Sequence, residues 1–342
     1  MKFTIGFDKE DIQKLHRSWD EIIATGQWSE GKFTQLFEEK WSGRHNLDSV
    51  AFSSWGGAAL AALEFFNVKG KTVLCPSNTF MATPLSVIKA GARVEFVDCN
   101  RDDLCLSFDD LKIKVEEYKP AAVWVVHIGG HIAFQINEIA EFCKKKGIML
   151  LEDCAHAHGA SWNRLSAGSW ADAGVYSFYA TKTITTGEGG MLVTKNKELA
   201  EFAKKYRNYG KFDYKVEGLN YRMSEFTAAI GCVQTDRLDY IVRWKNEYAE
   251  KKLDPHYPNR VKFPPGMTSG YYKYIVFDPI EKSTGKVYDA PCHKIMGKGY
   301  DLPNTDWVAG NHCVFHYIIK GRSLYESVGY GRFGFYWLAR CR

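Results

Sequence analysis

Two groups able to do chemistry together lie between Leu151 and Met191. Asp153 ends an apolar run, in Leu-Glu-Asp-Cys-Ala-His-Ala-His-Gly, and Lys182 follows in Ser177-Phe178-Tyr179-Ala180-Thr181-Lys182. Behind the lysine comes Thr185-Thr186-Gly187-Glu188-Gly189-Gly190. A lysine among small and hydroxyl residues, just before a glycine-rich turn, suits an amine that is partly desolvated and attacks a carbonyl. Alone, the same pattern also suits a surface lysine, and Asp153 alone also suits a helix cap. A third piece is Trp55-Gly56-Gly57, placed after the short apolar strand 49–54. Strand, small-residue turn and helix point backbone N–H groups at an anion, although a tight turn needs no ligand. No G-x-G-x-x-G follows that strand, which disfavours a dinucleotide. His156 and His158 form only an H-x-H pair without zinc spacing, so no metal is expected.

The elements that must position these groups alternate in type. Helical periodicity covers Lys9 to Ile23 with Asp8 as N-cap, and a second helix covers Lys32 to Trp41 after the turn 26–31. Further helices are expected over Ala58–Phe66, Thr79–Ala90, Phe108–Tyr118, Ile136–Lys146, Glu198–Tyr206 and Ser224–Ile241, the last running on toward Lys251. Apolar strands are expected over Thr72–Cys75, Arg93–Val97, Ala121–His127, Ile148–Glu152 and Gly190–Thr194. Such alternation predicts an α/β fold with a mostly parallel central sheet and helices on both faces. Ligands of such sheets bind beyond the carboxyl ends of the strands, where Gly56, Ser77, His127 and Asp153 are expected to converge. From about Tyr240 the rhythm stops, and Tyr271–Phe277 and Lys286–Ala290 read as strands of a smaller α+β domain. The division is therefore 1–240, a large domain with an N-terminal helical segment, and 241–342, a small C-terminal domain.

The 342 residues are 45% hydrophobic and 25% charged, which is ordinary for a globular chain with a sizeable core. A net charge of +5 without a basic run gives no reason to expect nucleic acid. No apolar stretch approaches the roughly 20 residues of a membrane span, and the N-terminus has no signal-peptide pattern. The nine cysteines are scattered without CxxC spacing, which fits reduced thiols in a cytoplasmic protein.

A phosphate turn, a strand-end acid and a nucleophilic lysine are together the kit that pyridoxal 5'-phosphate (PLP) requires. Here the chain resembles the DegT/DnrJ/EryC1/StrS family of PLP-dependent aminotransferases, of fold type I. The resemblance covers about residues 9 to 250 in six ordered segments. Gly26 to Gly31 with Phe37-Glu38 looks like the family's opening segment, and Gly56-Gly57-Ala58-Ala59-Leu60 like its G-T-A-A-L turn. Pro76 to Thr83 is similar to P-S-x-T-F-x-A-T, Glu152 to Gly159 to E-D-A-A-Q/H-A-H-G, Ser177 to Gly190 to the S-F-x-x-T-K block, and Asn220 to Ser224 to N-Y-R-M-S.

The resemblance implies a role for each. Lys182 would hold the cofactor's aldehyde and move the proton between substrate and cofactor. Asp153 would pair with the ring nitrogen, Phe80 would stack on the ring face, and His156 would hydrogen-bond the ring oxygen. Ser177 and the amides of Gly56 and Gly57 would hold the phosphate, and Asn220 would reach the phosphate of a neighbouring subunit, implying a homodimer with shared sites. His293, in Asp289-Ala290-Pro291-Cys292-His293, resembles a substrate-side P-x-H position. The implied reaction passes an amino group from L-glutamate or glutamine to a keto-sugar, nucleotide-linked as in the family. The alternatives are a PLP-dependent dehydratase of a sugar or aminohydroxybenzoate-type substrate, against which the sugar branch's missing lysine counts, and a non-catalytic PLP-binding regulator. Departures from the pattern are Gly57 in place of threonine or serine, Trp55 before it, Ile128-Gly129-Gly130-His131 in place of L-Y-G-Q, and an aromatic, glycine-rich segment from Ser323 to Arg342.

Overall fold

In the computed structural model of the chain, residues 6–279, 283 and 285–315 are described. Two helices lead, α1 (Lys9–Thr25) and α2 (Lys32–His45). Asp8 caps α1 in a full capping box with Asp11. Then β1 (Asp48–Phe52), α3 (Trp55–Phe65), β2 (Thr72–Pro76), α4 (Ala82–Lys89), β3 (Arg93–Val97), α5 (Phe108–Tyr118), β4 (Ala122–Val126), α6 (Ile136–Lys146) and β5 (Met149–Asp153) alternate. A small hairpin of β6 (Ser161–Trp162) and β7 (Leu165–Ser166) precedes β8 (Ala173–Ser177), β9 (Gly190–Thr194), α7 (Lys197–Tyr206) and the long α8 (Glu225–Tyr248). Beyond it lie β10 (Met267–Thr268), β11 (Tyr274–Val276), α9 (Cys292–Ile295), α10 (Pro303–Asn311) and β12 (Cys313–Phe315).

Seven of these strands form one sheet in the order β1-β9-β8-β5-β4-β2-β3. The run from β3 to β8 is parallel, and β9 is antiparallel to both β8 and β1. Successive strand residues face opposite sides, and the two sides bury separate apolar clusters. Leu74, Val123, Val125 and Tyr176 face a layer that includes α2, α5, α6 and α8. Val73, Cys75, Trp124 and Val175 face α3, α4 and α7. This is the expected α/β architecture, with smaller sheets, β11–β12 and β10 on the β6–β7 hairpin, drawn wholly or partly from the C-terminal part.

Several boundaries differ from expectation for local reasons. α3 starts at Trp55 instead of Ala58, because Ser54 caps it by accepting the Gly57 N–H at 3.2 Å. α4 starts at Ala82, because tertiary bonds hold the chain before it: Asn78 Nδ2 donates to the Leu104 carbonyl at 2.9 Å, and Cys292 Sγ to the Thr79 carbonyl at 3.1 Å. Residues 286–290 form no strand. Two of their hydrogen bonds run to the α10 region, with Lys286 Nζ donating to the Ala309 carbonyl and the Val287 N–H to His312 Nε2, and the Lys286 carbonyl accepts from Lys273 Nζ at 2.9 Å. β12 pairs with β11 in their place. β8 is a strand beyond those expected; its five residues lie just ahead of the lysine block and share only Ser177 with it. The tail from residue 316, with the segment from Ser323 to Arg342, lies outside the described residues.

Candidate active site

A cavity of about 810 Å³ opens beyond the carboxyl ends of the parallel strands. Asp153 is the last residue of β5 and Ser177 the last of β8, so strand register alone delivers both to it. Gly56 enters from the first turn of α3, which aims its N-terminus at the cavity, and Phe80 stands at the rim, 64% exposed. His156, three residues past Asp153, and Lys182, in the β8–β9 connection, are also part of the lining. The structure thus brings together Gly56, Phe80, Asp153, His156, Ser177 and Lys182.

Of the residues expected to hold cofactor or substrate, three do not line the cavity. Gly57 is buried behind the helix turn, its N–H given to Ser54. A Cβ there would lie 2.9 Å from the Tyr221 ring, so the ring takes the space that a threonine would need. Asn220 is exposed and accepts the Arg222 N–H at 3.3 Å. His293 is buried in α9, with Nδ1 2.7 Å from Ser77 Oγ, and it clamps α9 to the loop after β2. Ser77 is fully buried, so this serine–histidine pair offers no reachable nucleophile. His127, expected at the same end of the sheet, lies beneath the site. Its Nε2 is 2.7 Å from Glu152, whose oxygens also accept the N–H groups of Gly168, Trp170 and Ala171.

Asp153 is buried and heavily hydrogen-bonded. Oδ1 accepts from Trp55 Nε1 at 3.1 Å and from the Ala155 N–H at 3.0 Å, and Oδ2 accepts from Thr83 Oγ1 at 2.9 Å. Burial raises its pKa, against the lowering effect of the Ala155 and Thr83 bonds and of the Lys182 charge. The Lys182 amine is pushed down to about 8 by desolvation, with Asp153 pulling it back up and the Lys273 ammonium pushing it further down. Its Nζ sits 4.8 Å from the Tyr272 ring centre. Tyr272 stacks on His156 at 4.2 Å, and Tyr288 lies parallel to His156 on a 6.0 Å separation.

Tyr272, Lys273 and Tyr288 are cavity residues that sequence reading passed over, because nothing near them in the chain marks them. What brings Tyr272 to His156 is a departure already visible in the sequence, Gly130. Its φ is +105°, and a Cβ on it would lie 2.6 Å from the Tyr272 nitrogen and 2.9 Å from the His156 carbonyl. Only glycine permits that approach. Lys273 N–H then donates to the Gly129 carbonyl at 2.8 Å, pinning the segment to the 128–130 turn.

Buried acid, desolvated amine and helix N-terminus in one cavity are the parts that a phosphorylated aldehyde cofactor needs. A model of the DegT/DnrJ/EryC1/StrS aminotransferase family matches residues 8–255. The chain belongs to that family. Among its relatives, the GDP-perosamine synthase of Escherichia coli O157:H7 is 32% identical over 229 residues, 65% of this chain and 62% of that protein. The chain therefore spans somewhat less than two thirds of that relative's length. The UDP-4-amino-4,6-dideoxy-N-acetyl-beta-L-altrosamine transaminase of Campylobacter jejuni (strain 81-176) is 30% identical over 307 residues, 85% of this chain and 80% of that protein. The solved structure of the aminotransferase TlmJ from Streptoalloteichus hindustanus superposes with a TM-score of 0.81 at 27% identity, covering 92% of each chain.

PLP is the cofactor of this family, and the residues present fit it. Asp153 offers a buried negative charge with an acceptor position to spare, and Lys182 offers an amine of lowered pKa in the same cavity. The N-terminus of α3 offers backbone donors for a phosphate.

Proposed function

We propose that this chain is an aminotransferase that passes an amino group from L-glutamate or glutamine to a keto-sugar, nucleotide-linked as the names of its relatives suggest. The observation that carries the reading is Lys182, a desolvated amine facing Asp153 inside one large cavity. At a pKa of about 8 roughly a quarter of such an amine is neutral at pH 7.5, against about one part in a thousand at the ordinary 10.5. That raises the nucleophilic fraction by more than two orders of magnitude.

Bound PLP supplies an aldehyde for the amine to hold and a ring that accepts the electron pair left when a proton departs. The chain's own residues do the rest. Lys182 would hold the cofactor's aldehyde and, once freed, would carry a proton between the amino-bearing carbon and its new position. Asp153 would balance the ring nitrogen's positive charge. Ser177 and the Gly56 backbone would hold the phosphate, Phe80 and His156 would contain the ring, and Tyr272 packs against the lysine amine. Asn220 and Gly57, which lie off this cavity, and His293, which lies beneath it, are supporting positions in this reading, with Asn220 turned toward a second copy of the chain in a homodimer.

The visible spectrum of the purified protein tests this before and after L-glutamate is added without an acceptor. A cofactor band that is absent in Lys182→Ala and collapses with glutamate is the expected result. A band indifferent to both glutamate and glutamine would rule out these donors.

A further inference from the structure

Trp55 occupies a place that the aminotransferase reading leaves without a role. It is the first residue of α3, whose opening turn faces the phosphate position, yet its side chain turns toward the opposite end of the cofactor site. The indole is 7% exposed, packs on Trp124 at 5.6 Å, and gives its N–H to Asp153 Oδ1. An indole N–H is a donor only, so this bond is its whole polar function. An ionised carboxylate has about four acceptor positions. Trp55 and the Ala155 N–H fill both on Oδ1, and Thr83 fills one on Oδ2. Among the described contacts one position remains, on Oδ2.

We infer that Trp55 is a positioning residue that fixes the Asp153 carboxylate so that its single open acceptor meets the cofactor's ring nitrogen, tying the phosphate turn to the ring acid through one side chain. The inference rests on the PLP reading of the site. Three donors fix the carboxyl plane and favour its ionised form, so the shared proton stays on the ring nitrogen. Without the indole donor the carboxylate is more basic and draws that proton to itself. The other titratable groups facing Asp153 are Lys182, His127, Tyr288, Cys75 and Cys154, and none of them hydrogen-bonds its oxygens among the described contacts.

The test uses the full chain loaded with PLP carrying nitrogen-15 in its ring. Trp55→Phe keeps an aromatic ring against Trp124 and removes the donor. Its expected effects are about tenfold to a hundredfold weaker PLP binding and a ring-nitrogen resonance displaced toward the unprotonated position. Thr83→Val is expected to move the resonance in the same direction, while Trp124→Phe, which leaves the bond intact, is expected not to move it. An unmoved resonance in Trp55→Phe overturns the inference even if affinity falls, since packing alone would then explain the loss. If Trp55→Phe does not fold, benzothienylalanine at position 55, with sulfur in place of the N–H and the same shape, decides by the same two readings. A wild-type chain that binds no PLP removes the cofactor reading first, and this inference with it.

Discussion

Lys182 and Lys245 are two desolvated lysines in different settings. Lys245 lies in the last turn of α8, 4% exposed, and burial alone lowers its pKa to about 7, further than the about 8 of Lys182. By pKa alone Lys245 would be the better nucleophile. Yet its Nζ donates to the Tyr271 carbonyl at 2.9 Å, and it borders no part of the cavity. Beside it, Asn246 Nδ2 donates to the Ser269 carbonyl at 2.7 Å, so these two side chains tie α8 to the segment that carries Tyr272. Lys182 is half-buried, opens on the cavity, and has a carboxylate among the causes of its pKa. A lowered pKa measures burial. Access to substrate and a nearby opposite charge separate a reacting amine from a strut.

The largest effect that can sharpen this contrast comes from deleting each amine in turn. Lys182→Ala is expected to slow the glutamate half reaction by about a thousandfold or more, whereas Lys245→Met keeps it within about fivefold in single-turnover absorbance measurements. Equal losses would erase the distinction. The second effect concerns stability. A lysine whose folded pKa is depressed costs stability wherever it is charged in the folded state, and that cost is relieved as pH rises from about 7 toward 10.5. Lys245→Met is therefore expected to be about 1–3 kcal/mol more stable than the wild type at pH 6 in urea titrations. That advantage should shrink steadily above pH 7; a constant difference would mean that the buried amine keeps its ordinary pKa and stays charged in both states. The smallest effect touches Lys182 through its neighbour. Lys273→Met removes a cation that lowers the Lys182 pKa, so the acid limb of the pH dependence of PLP capture is expected to move up by about half a unit. A shift downward would show that Lys273 acts by shaping the cavity instead.

The helices over Phe108–Tyr118 and Ile136–Lys146 and the strand over Arg93–Val97 are where periodicity put them, because each has one clear apolar face or run and ends in a turn signal. Asp153 and Lys182 were legible as residue types in motif-like segments, while the groups that set their chemistry, among them Trp55, Thr83 and Tyr272, come from distant parts of the chain. β8 was missed because five buried residues flanked by motif positions carry no periodic signal of their own. The strand expected over Lys286–Ala290 failed for a different reason. Its apolar content suits a strand, but the Val314 N–H takes the Gly285 carbonyl and β12 takes the edge of β11.

The sequence by itself determined the layered α/β architecture and the strand ends that carry Asp153 and Ser177, since both follow from local patterns of period 2 and 3.6. It also determined that a small residue stands at 130. Only the tertiary structure decided what that glycine is for, namely letting Tyr272 press against His156 across more than a hundred residues of chain. It alone decided that Trp55 grips Asp153, that Lys245 is a strut, and that Tyr221 excludes a threonine at 57. These are contacts between segments distant in sequence, and no local propensity encodes a distance between two side chains that only the packed sheet and helices set.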